Sequence, residues 1–318
     1  MTVTVALGGD TMLGRGVADR LAEASPASLF APEVVEFARA ADLLVLNLEC
    51  CISDRGSPWP DPAKPFYFRA PPAAVETLTH LGVDCVTLAN NHALDFGEVA
   101  LVDTMERLAA GGIAWVGAGE DAQAARRPVV LESNGVRLAV LALTDHPADF
   151  AAESGPGVAF ADLRTGLPPW VNETVRSVEA DAVLATPHWG PNMTSGPVPH
   201  VLRAAGELVD AGAAVVAGHS AHVFHGVRGG VLFDLGDFID DYAVDPVLRN
   251  DLGLLWRLTL DGDGPRRLEA LPLKLEYCFT RPAEGAEAAW IRHRFRQACA
   301  ELGTDVLDGD GLLAIEWP

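Results

Sequence analysis

Six short apolar segments constrain the fold of this chain more than any other feature. Each has the length and composition of a buried strand, and each ends in polar side chains that can bind a metal ion or transfer a proton. These end residues are Asp10, Glu49, Asn91 with His92, His188, His219 with His222, and Asp237. Helical segments separate most of the strands, which is typical of β-α-β connections. Because consecutive parallel strands share their carboxyl edge, we expect these groups to converge at one edge of a sheet.

Length and charge limit the class of protein. A chain of 318 residues can bury a sizeable core, and its sequence contains no internal repeat and no composition break that marks a second domain. No run approaches the ~18 apolar residues of a membrane span, and the start, MTVTVALGGD, lacks the basic region of a signal peptide. We therefore expect no membrane anchor and a cytoplasmic location. The formal net charge of −21 repels polyanions and attracts metal ions, which excludes nucleic acid as a partner.

The residue types at the strand ends point to a divalent cation. Five cysteines, an odd number without CxxC spacing, argue against disulfides or a thiolate zinc site. Carboxylate, amide and imidazole ligands suit Mn, Mg, Ca, Fe or Zn. The candidate ligands are Asp10, Glu49, Asn91, His188, His219 and His222. One interpretation is a two-metal hydrolase, in which ions about 4 Å apart activate a water molecule.

Acid/base chemistry is the second interpretation of the same residues. Asp95 lies three residues after His92 and either orients its imidazole or caps the helix that begins near residue 97. His219 or His222 could pair in the same way with Asp10 or Asp237.

Three further residues border these motifs and are predicted to contact a substrate. They are Arg15, Trp189 and Asp240, although an acidic loop exposed to solvent is an equally ordinary role for Asp240. Residues 53–72, with six prolines and four aromatic side chains, form a long segment without periodicity, here called the flap. The flap is expected either to cover the site or simply to pack on the core.

Together these motifs resemble the CapA/PgsA family, named for poly-γ-glutamate capsule synthesis. The resemblance spans roughly residues 3–260 and rests on GGDTMLGR, LNLE, LANNHALDFG, PHWG, GHSAHV and LGDF in this order. It implies an α/β fold, the four-layer α/β/β/α sandwich of the calcineurin-like metallophosphoesterases. We expect one domain over residues 1–318, with this core and a C-terminal strand and helix extension over 261–318.

The resemblance also implies roles for individual residues. Asp10, Glu49, Asn91, His188, His219 and His222 fall on metal-centre positions, and His92 falls on the catalytic histidine position. Met12 stands where such phosphatases usually carry a histidine, and the usual Gly-His-x-His is stretched to Gly-His-Ser-Ala-His. Loss of one imidazole should weaken one metal site, so we expect one ion rather than two.

Three functions remain open. The first is a metal-dependent acid/base enzyme acting on a peptide or polyglutamate-like amide, most sharply a peptide epimerase; some family members resemble such enzymes. Inverting a Cα needs a base on one face and an acid on the other, with a cation to stabilise the enolate-like intermediate. His92 with Asp95, and His219 or His222 with Asp10 or Asp237, are the candidate pairs. The alternatives are a metal-dependent phosphoesterase and a non-catalytic accessory protein of polymer synthesis.

Overall fold

The computed structural model describes residues 1–317, in which twenty strands and eight α-helices alternate along the chain. The strands are β1 (Thr2–Thr11), β2 (Leu43–Leu48), β3 (Cys51–Ile52), β4 (Arg69–Ala70), β5 (Cys85–Thr87), β6 (Ala114–Val116), β7 (Ala118–Gly119), β8 (Val129–Ser133), β9 (Val136–Thr144), β10 (Gly157–Val158), β11 (Ala182–His188), β12 (Val215–Ala217), β13 (Val227–Arg228), β14 (Val231–Leu232), β15 (Asp237–Ile239), β16 (Leu252–Asp261), β17 (Gly264–Glu276), β18 (Phe279–Pro282), β19 (Leu307–Gly309) and β20 (Leu312–Glu316). The helices are α1 (Arg15–Glu23), α2 (Pro32–Arg39), α3 (Ala74–Leu81), α4 (Gly97–Ala110), α5 (Ala122–Ala125), α6 (Pro169–Ser177), α7 (Pro199–Ala211) and α8 (Gly285–Glu301).

Ten strands form the larger sheet, whose main order is β19-β20-β17-β16-β1-β2-β5-β6. β1, β2, β5 and β6 run parallel, and β15 adds a short parallel pairing to the end of β1. β16, β17 and β20 continue the sheet in antiparallel fashion. The predicted extension, 261–318, therefore supplies strands to this sheet, together with α8.

Six strands form the smaller sheet, in the order β13-β14-β12-β11-β9-β8. β9, β11, β12 and β14 are parallel, whereas β8 and β13 are antiparallel edge strands. The β8–β9 hairpin turns through Asn134 and Gly135, both with positive φ, as the Asn-Gly signal predicts.

The two sheets pack face to face around a shared apolar core that includes Trp256 and Leu138. Helices α1 to α4 cover the outer face of the larger sheet, and α6 and α7 cover that of the smaller one. This is the expected four-layer α/β/β/α sandwich.

Both sheets supply polar strand ends, which corrects the expectation of a single sheet edge. β1, β2 and β5 of the larger sheet lead to Asp10, Glu49 and His92, whereas β11 and β12 of the smaller sheet lead to His188 and His219. The carboxyl edges of the two sheets meet, because Ser220 N donates a hydrogen bond to Asp10 Oδ2 at 3.3 Å. Within residues 1–317, no helix combines the length and apolar character needed to cross a membrane.

Candidate metal centre

Asp10 lies at the middle of the site, at the end of β1. Its Cα pairs with that of Asp237 on β15, so the parallel register places two carboxylates side by side. Asn47, inside the apolar strand β2, donates from Nδ2 to Asp10 Oδ1 at 2.7 Å. Burial raises the pKa of Asp10, but the imidazoles of His219, His222 and His188 outweigh it and hold the pKa well below its ordinary value. Asp10 is therefore a buried, ionised carboxylate.

Buried ligand atoms without a hydrogen-bond partner surround Asp10. Within the described residues they are both carboxylate oxygens of Glu49, Asn91 Oδ1, both ring nitrogens of His188 and His219 Nδ1. Native proteins rarely leave such atoms unpaired, since each costs free energy. Oxygen and imidazole nitrogen donors of this kind suit a divalent cation. The residues present therefore fit the metal ion that their chemistry implies.

The pKa shifts of Glu49 and His188 indicate that the cluster lacks a positive charge. Burial and the neighbouring carboxylate of Asp10 raise the pKa of Glu49 well above its ordinary value. Burial lowers the pKa of His188 well below its ordinary value, which keeps this imidazole neutral. A neutral imidazole is the form that binds a metal ion, and a cation would restore the charge on Glu49.

Two overlapping sets of residues are candidate ligands of the cation. Ligand atoms of Asp10, Glu49 and His222 lie within 4.8 Å of one another. However, His222 Nδ1 is 2.8 Å from Asp237 Oδ1, and its Nε2 is 3.2 Å from Asn192 Nδ2, so both nitrogens already have partners. Glu49, Asn91, His188 and His219 offer buried donor atoms without a hydrogen-bond partner, but among the described His, Cys, Asp and Glu residues only the first set brings its ligand atoms within 4.8 Å of one another.

Met12 supplies no ligand at the position where a histidine is usual in similar phosphatases. Its side chain is fully buried in the apolar core, and its Sδ accepts a hydrogen bond from Gly14 N at 3.0 Å. One side of the centre therefore lacks an imidazole, which favours one ion over two.

A strained loop presents the two histidines of the Gly-His-Ser-Ala-His motif. His219 joins His188 through an isolated parallel β-bridge, while Ser220 and His222 have φ values of 110° and 60°. Asp234 holds this loop by accepting hydrogen bonds from Ala221 N and Gly236 N. Left-handed backbone at two non-glycine residues is costly and is typical of functional sites. The loop places both imidazoles beside Asp10, since His219 Nδ1 and His222 Nδ1 each lie 3.4 Å from one of its oxygens, and His222 Nδ1 also lies 2.8 Å from Asp237 Oδ1.

His92 and Asp95 form one His–Asp pair. His92 Nδ1 is 2.6 Å from Asp95 Oδ2, and its Nε2 lies 4.0 Å from Glu49 Oε1. Helix α4 has no side-chain cap, so Asp95 orients the imidazole and does not cap the helix. Burial lowers the pKa of His92 more than its bond to Asp95 raises it.

His222 and Asp237 form a second His–Asp pair. Burial disfavours the charged imidazole, but the carboxylates of Glu49 and Asp10 raise the pKa of His222 above its ordinary value. His222 is therefore oriented by a carboxylate, whereas His219 Nδ1 has no hydrogen-bond partner and lies 3.4 Å from Asp10 Oδ1.

Both pairs open into one cavity of about 350 Å³. Its walls are formed by Arg15, Phe66, Phe68, His92, Asn192, Met193, His222, Tyr242, Ala243 and Asn250. Arg15, one of the three predicted substrate-binding residues, lies at this wall, with its guanidinium 5.2 Å from the ring centroid of Phe68 and 5.7 Å from that of Tyr242.

The other two predicted substrate-binding residues lie elsewhere. Trp189 is 2% exposed and packs in the core of the smaller sheet, where its Nε1 donates to Phe233 O at 3.0 Å. We therefore reassign Trp189 to the core. Asp240 is buried behind Asp237 and accepts a hydrogen bond from Tyr242 N, rather than lying in a solvated loop. Burial raises the pKa of Asp240 to about 6.

Several residues that organise the site were not identified from the sequence. Asn90 donates to Asn47 Oδ1 and Leu48 O and accepts from His92 N, which fixes the loop after β5. Asn47 had a signal, since an amide inside the apolar run DLLVLNL needs a buried partner. Lys64 had none, because its partners lie far away in the chain, and Asp234 had none, because its bonds go to the backbone N–H groups of Ala221 and Gly236.

The chain has the four-layer fold of the calcineurin-like metallophosphoesterase type. A hypothetical protein from Thermus thermophilus superposes with a TM-score of 0.52 at 16% identity, covering 86% of this chain and all of the other. A novel phosphatase from Mycoplasma pneumoniae superposes with a TM-score of 0.53 at 12% identity, covering 86% of this chain and 94% of the other. At these identities the likeness concerns the fold alone.

The sequence shows the family to which the chain belongs. Residues 4–242 match the family of the bacterial capsule synthesis protein PGA_cap, and the chain belongs to that family. It is 30% identical to a probable polyglutamine synthesis accessory protein of Mycobacterium tuberculosis, over 98% of this chain and 96% of that protein. It is 28% identical to the PGA biosynthesis protein CapA of Bacillus subtilis, over 87% of this chain and 72% of that protein.

Proposed function

We propose that this protein is a metal-dependent acid/base enzyme that acts beside an amide carbonyl, most sharply a peptide epimerase that inverts a Cα. The observation that carries this proposal is the pair of His–Asp units, His92 with Asp95 and His222 with Asp237, opening into one cavity. Each carboxylate fixes the tautomer of its imidazole by accepting from Nδ1, so that Nε2 is the atom that transfers the proton. Nε2 of His222 lies 3.2 Å from Asn192 Nδ2, an amide that the substrate would displace.

The reaction needs two proton transfers. One imidazole removes the proton from Cα, and the electron pair of the C–H bond moves onto the adjacent carbonyl. The second imidazole then donates a proton to the opposite face of Cα, so that the centre is inverted and no atom is lost. His92 and His222 exchange roles when the reaction runs in reverse.

The ligand cluster supports the same chemistry. Glu49, Asn91, His188 and His219 would hold one divalent cation, with Asp10 beside it. When bound, the cation supplies positive charge that stabilises negative charge on a carbonyl oxygen. Phe68 stacks on His92 with ring centroids 3.9 Å apart and excludes water from one face of the imidazole.

The cavity walls suggest a substrate with a peptide backbone. Arg15, the one lysine or arginine among the described walls, already binds a carboxylate, because its Nη2 lies 2.6 Å from Asp241 Oδ1 and its Nε donates to Asp241 Oδ2 at 3.1 Å. Asn192 and Asn250 provide amides of the kind that pair with a peptide backbone. The two named relatives concern polyglutamine synthesis and PGA biosynthesis, and we propose a peptide or polyglutamate-like polyamide as the substrate class.

Phosphoester hydrolysis is the second candidate, because the fold is shared with a phosphatase. The buried Met12 and the engaged nitrogens of His222 disfavour it, since a two-metal centre needs more free ligands. Release of p-nitrophenol from p-nitrophenyl phosphate with added Mn²⁺ tests this function, and no release is expected. An accessory protein without catalysis would bind a polyamide and leave every Cα unchanged.

The decisive experiment measures hydrogen exchange at Cα. Purified protein with Mn²⁺ and an α-linked glutamate oligomer, in which each internal Cα adjoins an amide carbonyl, is expected to place deuterium at a Cα in D2O, detected by mass spectrometry. His92→Ala and His222→Ala are each expected to abolish exchange, whereas His293→Ala, on the exposed face of α8, serves as the matched control. Binding of the oligomer without exchange would contradict the epimerase proposal and favour the accessory function.

A further inference from the structure

The flap is anchored to the loop that carries His92. Trp59 N donates to Asp95 O at 2.8 Å, and the Trp59 indole donates to Asp149 at 3.0 Å. Tyr67 closes the segment on itself by donating from its hydroxyl to Trp59 O and Asp61 O. The proline-rich segment is therefore an ordered part of the site, as one of the two sequence interpretations required.

Lys64 makes the ionic contact between the flap and the site. Its Nζ lies 2.9 Å from Asp95 Oδ1 and donates to Asn91 O at 2.7 Å. The side chains of Lys64 and Asp95 are 12% and 0% exposed. Lys64 thus bridges a candidate metal ligand and the carboxylate that orients His92.

Asp95 receives two of its three side-chain contacts from the flap. Phe68 N and His92 Nδ1 both lie 2.6 Å from Asp95 Oδ2, and Lys64 reaches the other oxygen. A buried carboxylate with a neutral imidazole partner leaves one negative charge without compensation, and the ammonium of Lys64 provides it. The aromatic ring of Phe68, next to the amide that Asp95 binds, then stacks on His92.

We propose that Lys64 is a positioning residue whose ammonium docks the flap on Asp95 and thereby fixes the tautomer and orientation of His92. This inference rests on the proposed acid/base role of His92, but it concerns the assembly of the pair and not the identity of the substrate. Without Lys64, the flap loses its charged anchor, and Asp95 no longer holds Nδ1–H of His92 in one geometry.

The remaining lysine provides a matched comparison. The chain has two lysines, and Lys274 also pairs with a buried aspartate, Asp251, at 2.5 Å. The Lys274–Asp251 pair makes no hydrogen bond to His92, Asp95 or the flap within the described residues. Lys274→Gln therefore removes a lysine–aspartate ion pair without touching the proposed assembly, and Asp251 keeps its pair with Arg249.

The test observes His92 directly, so it does not depend on a known substrate. An imidazole Nδ1–H bonded to a buried carboxylate exchanges slowly with water and gives a downfield proton resonance in NMR spectra. The resonance is assigned in the Mg²⁺-loaded protein by its loss in Asp95→Asn. It is expected to disappear in Lys64→Gln and to persist in Lys274→Gln, with circular dichroism confirming that both variants are folded.

Restoration of the ammonium separates its role from that of side-chain volume. The five native cysteines are buried, so aminoethylation of Lys64→Cys adds a lysine-like ammonium at that position alone. The resonance is expected to be absent before this modification and present after it. If Lys64→Gln and Lys64→Cys do not fold, Lys64→Arg replaces them and is expected to keep the resonance at a shifted position.

Activity provides the second measurement once deuterium exchange is observed. Lys64→Gln is expected to lower kcat by about 10- to 100-fold with little change in KM, because the substrate does not contact Lys64. A resonance unchanged in Lys64→Gln, not restored by aminoethylation, or absent from the wild-type protein would overturn the positioning role. Loss of the resonance in a folded Lys64→Arg would do the same, because arginine keeps the positive charge. Failure of deuterium exchange with an intact resonance pattern would instead count against the proposed function alone.

Discussion

At the scale of single residues, Glu49 decides the metal hypothesis. Its carboxylate is completely buried, neither oxygen accepts a hydrogen bond within the described residues, and its pKa is raised well above the ordinary value by burial and by Asp10. Such a group is stable only when protonated or when a cation lies beside it. Metal binding and protonation therefore compete for the same two oxygens.

Glu49→Gln is expected to abolish stabilisation by Mn²⁺. At a free Mn²⁺ concentration of about 100 times Kd, the wild-type free energy of unfolding should rise by about 2.7 kcal/mol, whereas the variant should show no rise. Urea denaturation with EDTA or with Mn²⁺ measures both values. Glu153→Gln, at an exposed position, is the control and should respond as the wild type does. Equal stabilisation of Glu49→Gln by Mn²⁺ would show that the ion binds elsewhere.

Asp237→Asn tests the second His–Asp pair. The amide cannot accept from His222 Nδ1–H with the strength of a carboxylate, so the imidazole loses its fixed tautomer. We expect kcat for deuterium exchange at Cα to fall by about 10²- to 10⁴-fold. Asp305→Asn, which replaces an exposed aspartate, should leave the rate unchanged. A wild-type rate in Asp237→Asn would remove His222 from the mechanism.

At the scale of elements, the loop after β12 depends on a close backbone approach. A Cβ added at Gly218 would lie 2.2 Å from Phe233 O and 2.5 Å from Trp189 Nε1. The buried indole of Trp189 thus packs against the loop. This contact accounts for the tryptophan of the PHWG motif without a role in substrate binding. The loop can then hold His219 and His222 against their carboxylate neighbours.

Gly218→Ala is expected to destabilise the protein by about 1–3 kcal/mol, because backbone and indole must move to admit the methyl group. Gly206→Ala is the control, for which a change of stability in the opposite direction is expected. Gly206 lies inside α7 with no atom within 4 Å of the added Cβ, so alanine should stabilise the helix by about 0.5–1 kcal/mol. Urea denaturation of both variants measures the sign of each change in the free energy of unfolding. Neutral behaviour of Gly218→Ala would mean that the loop is not tightly packed.

At the scale of the whole molecule, buried histidines outside the centre couple stability to pH. His225 donates from Nε2 to Thr194 O at 2.8 Å, and burial lowers its pKa from 6.5 to about 4. Above pH 6.5 this histidine is neutral in both the folded and the unfolded state. Between pH 6.5 and about 4, the unfolded state binds a proton that the folded state does not.

The free energy of unfolding is therefore expected to fall by up to about 3 kcal/mol through His225 as the pH decreases across this window. His225→Gln keeps a donor for Thr194 O but does not titrate, so its stability should depend less on pH. Urea denaturation at pH 7.5 and pH 5 measures the difference between the two proteins. The same slope in both would assign the acid sensitivity to other groups.

The fold was largely predictable because its elements carry local signals. Apolar runs of strand length, the Asn-Gly sequence at 134–135 and the helix expected within the extension 261–318 all correspond to observed elements. The assignment of strands to two sheets was not predictable from periodicity, since a buried strand has the same apolar pattern in either sheet. That assignment decided that the site is shared between two sheet edges.

The sequence by itself determined which residue types reach the site, because polar groups that follow buried strands have few other places to lie. Only the tertiary structure decided the role of each of these side chains. Asp95 orients His92 and does not cap α4, His222 pairs with Asp237 while His219 lies 3.4 Å from Asp10, and Trp189 is buried. The physical reason is that a side chain's role follows from its hydrogen-bond partners. Those partners are far apart in sequence, as Lys64 with Asp95 and Ser220 with Asp10 show.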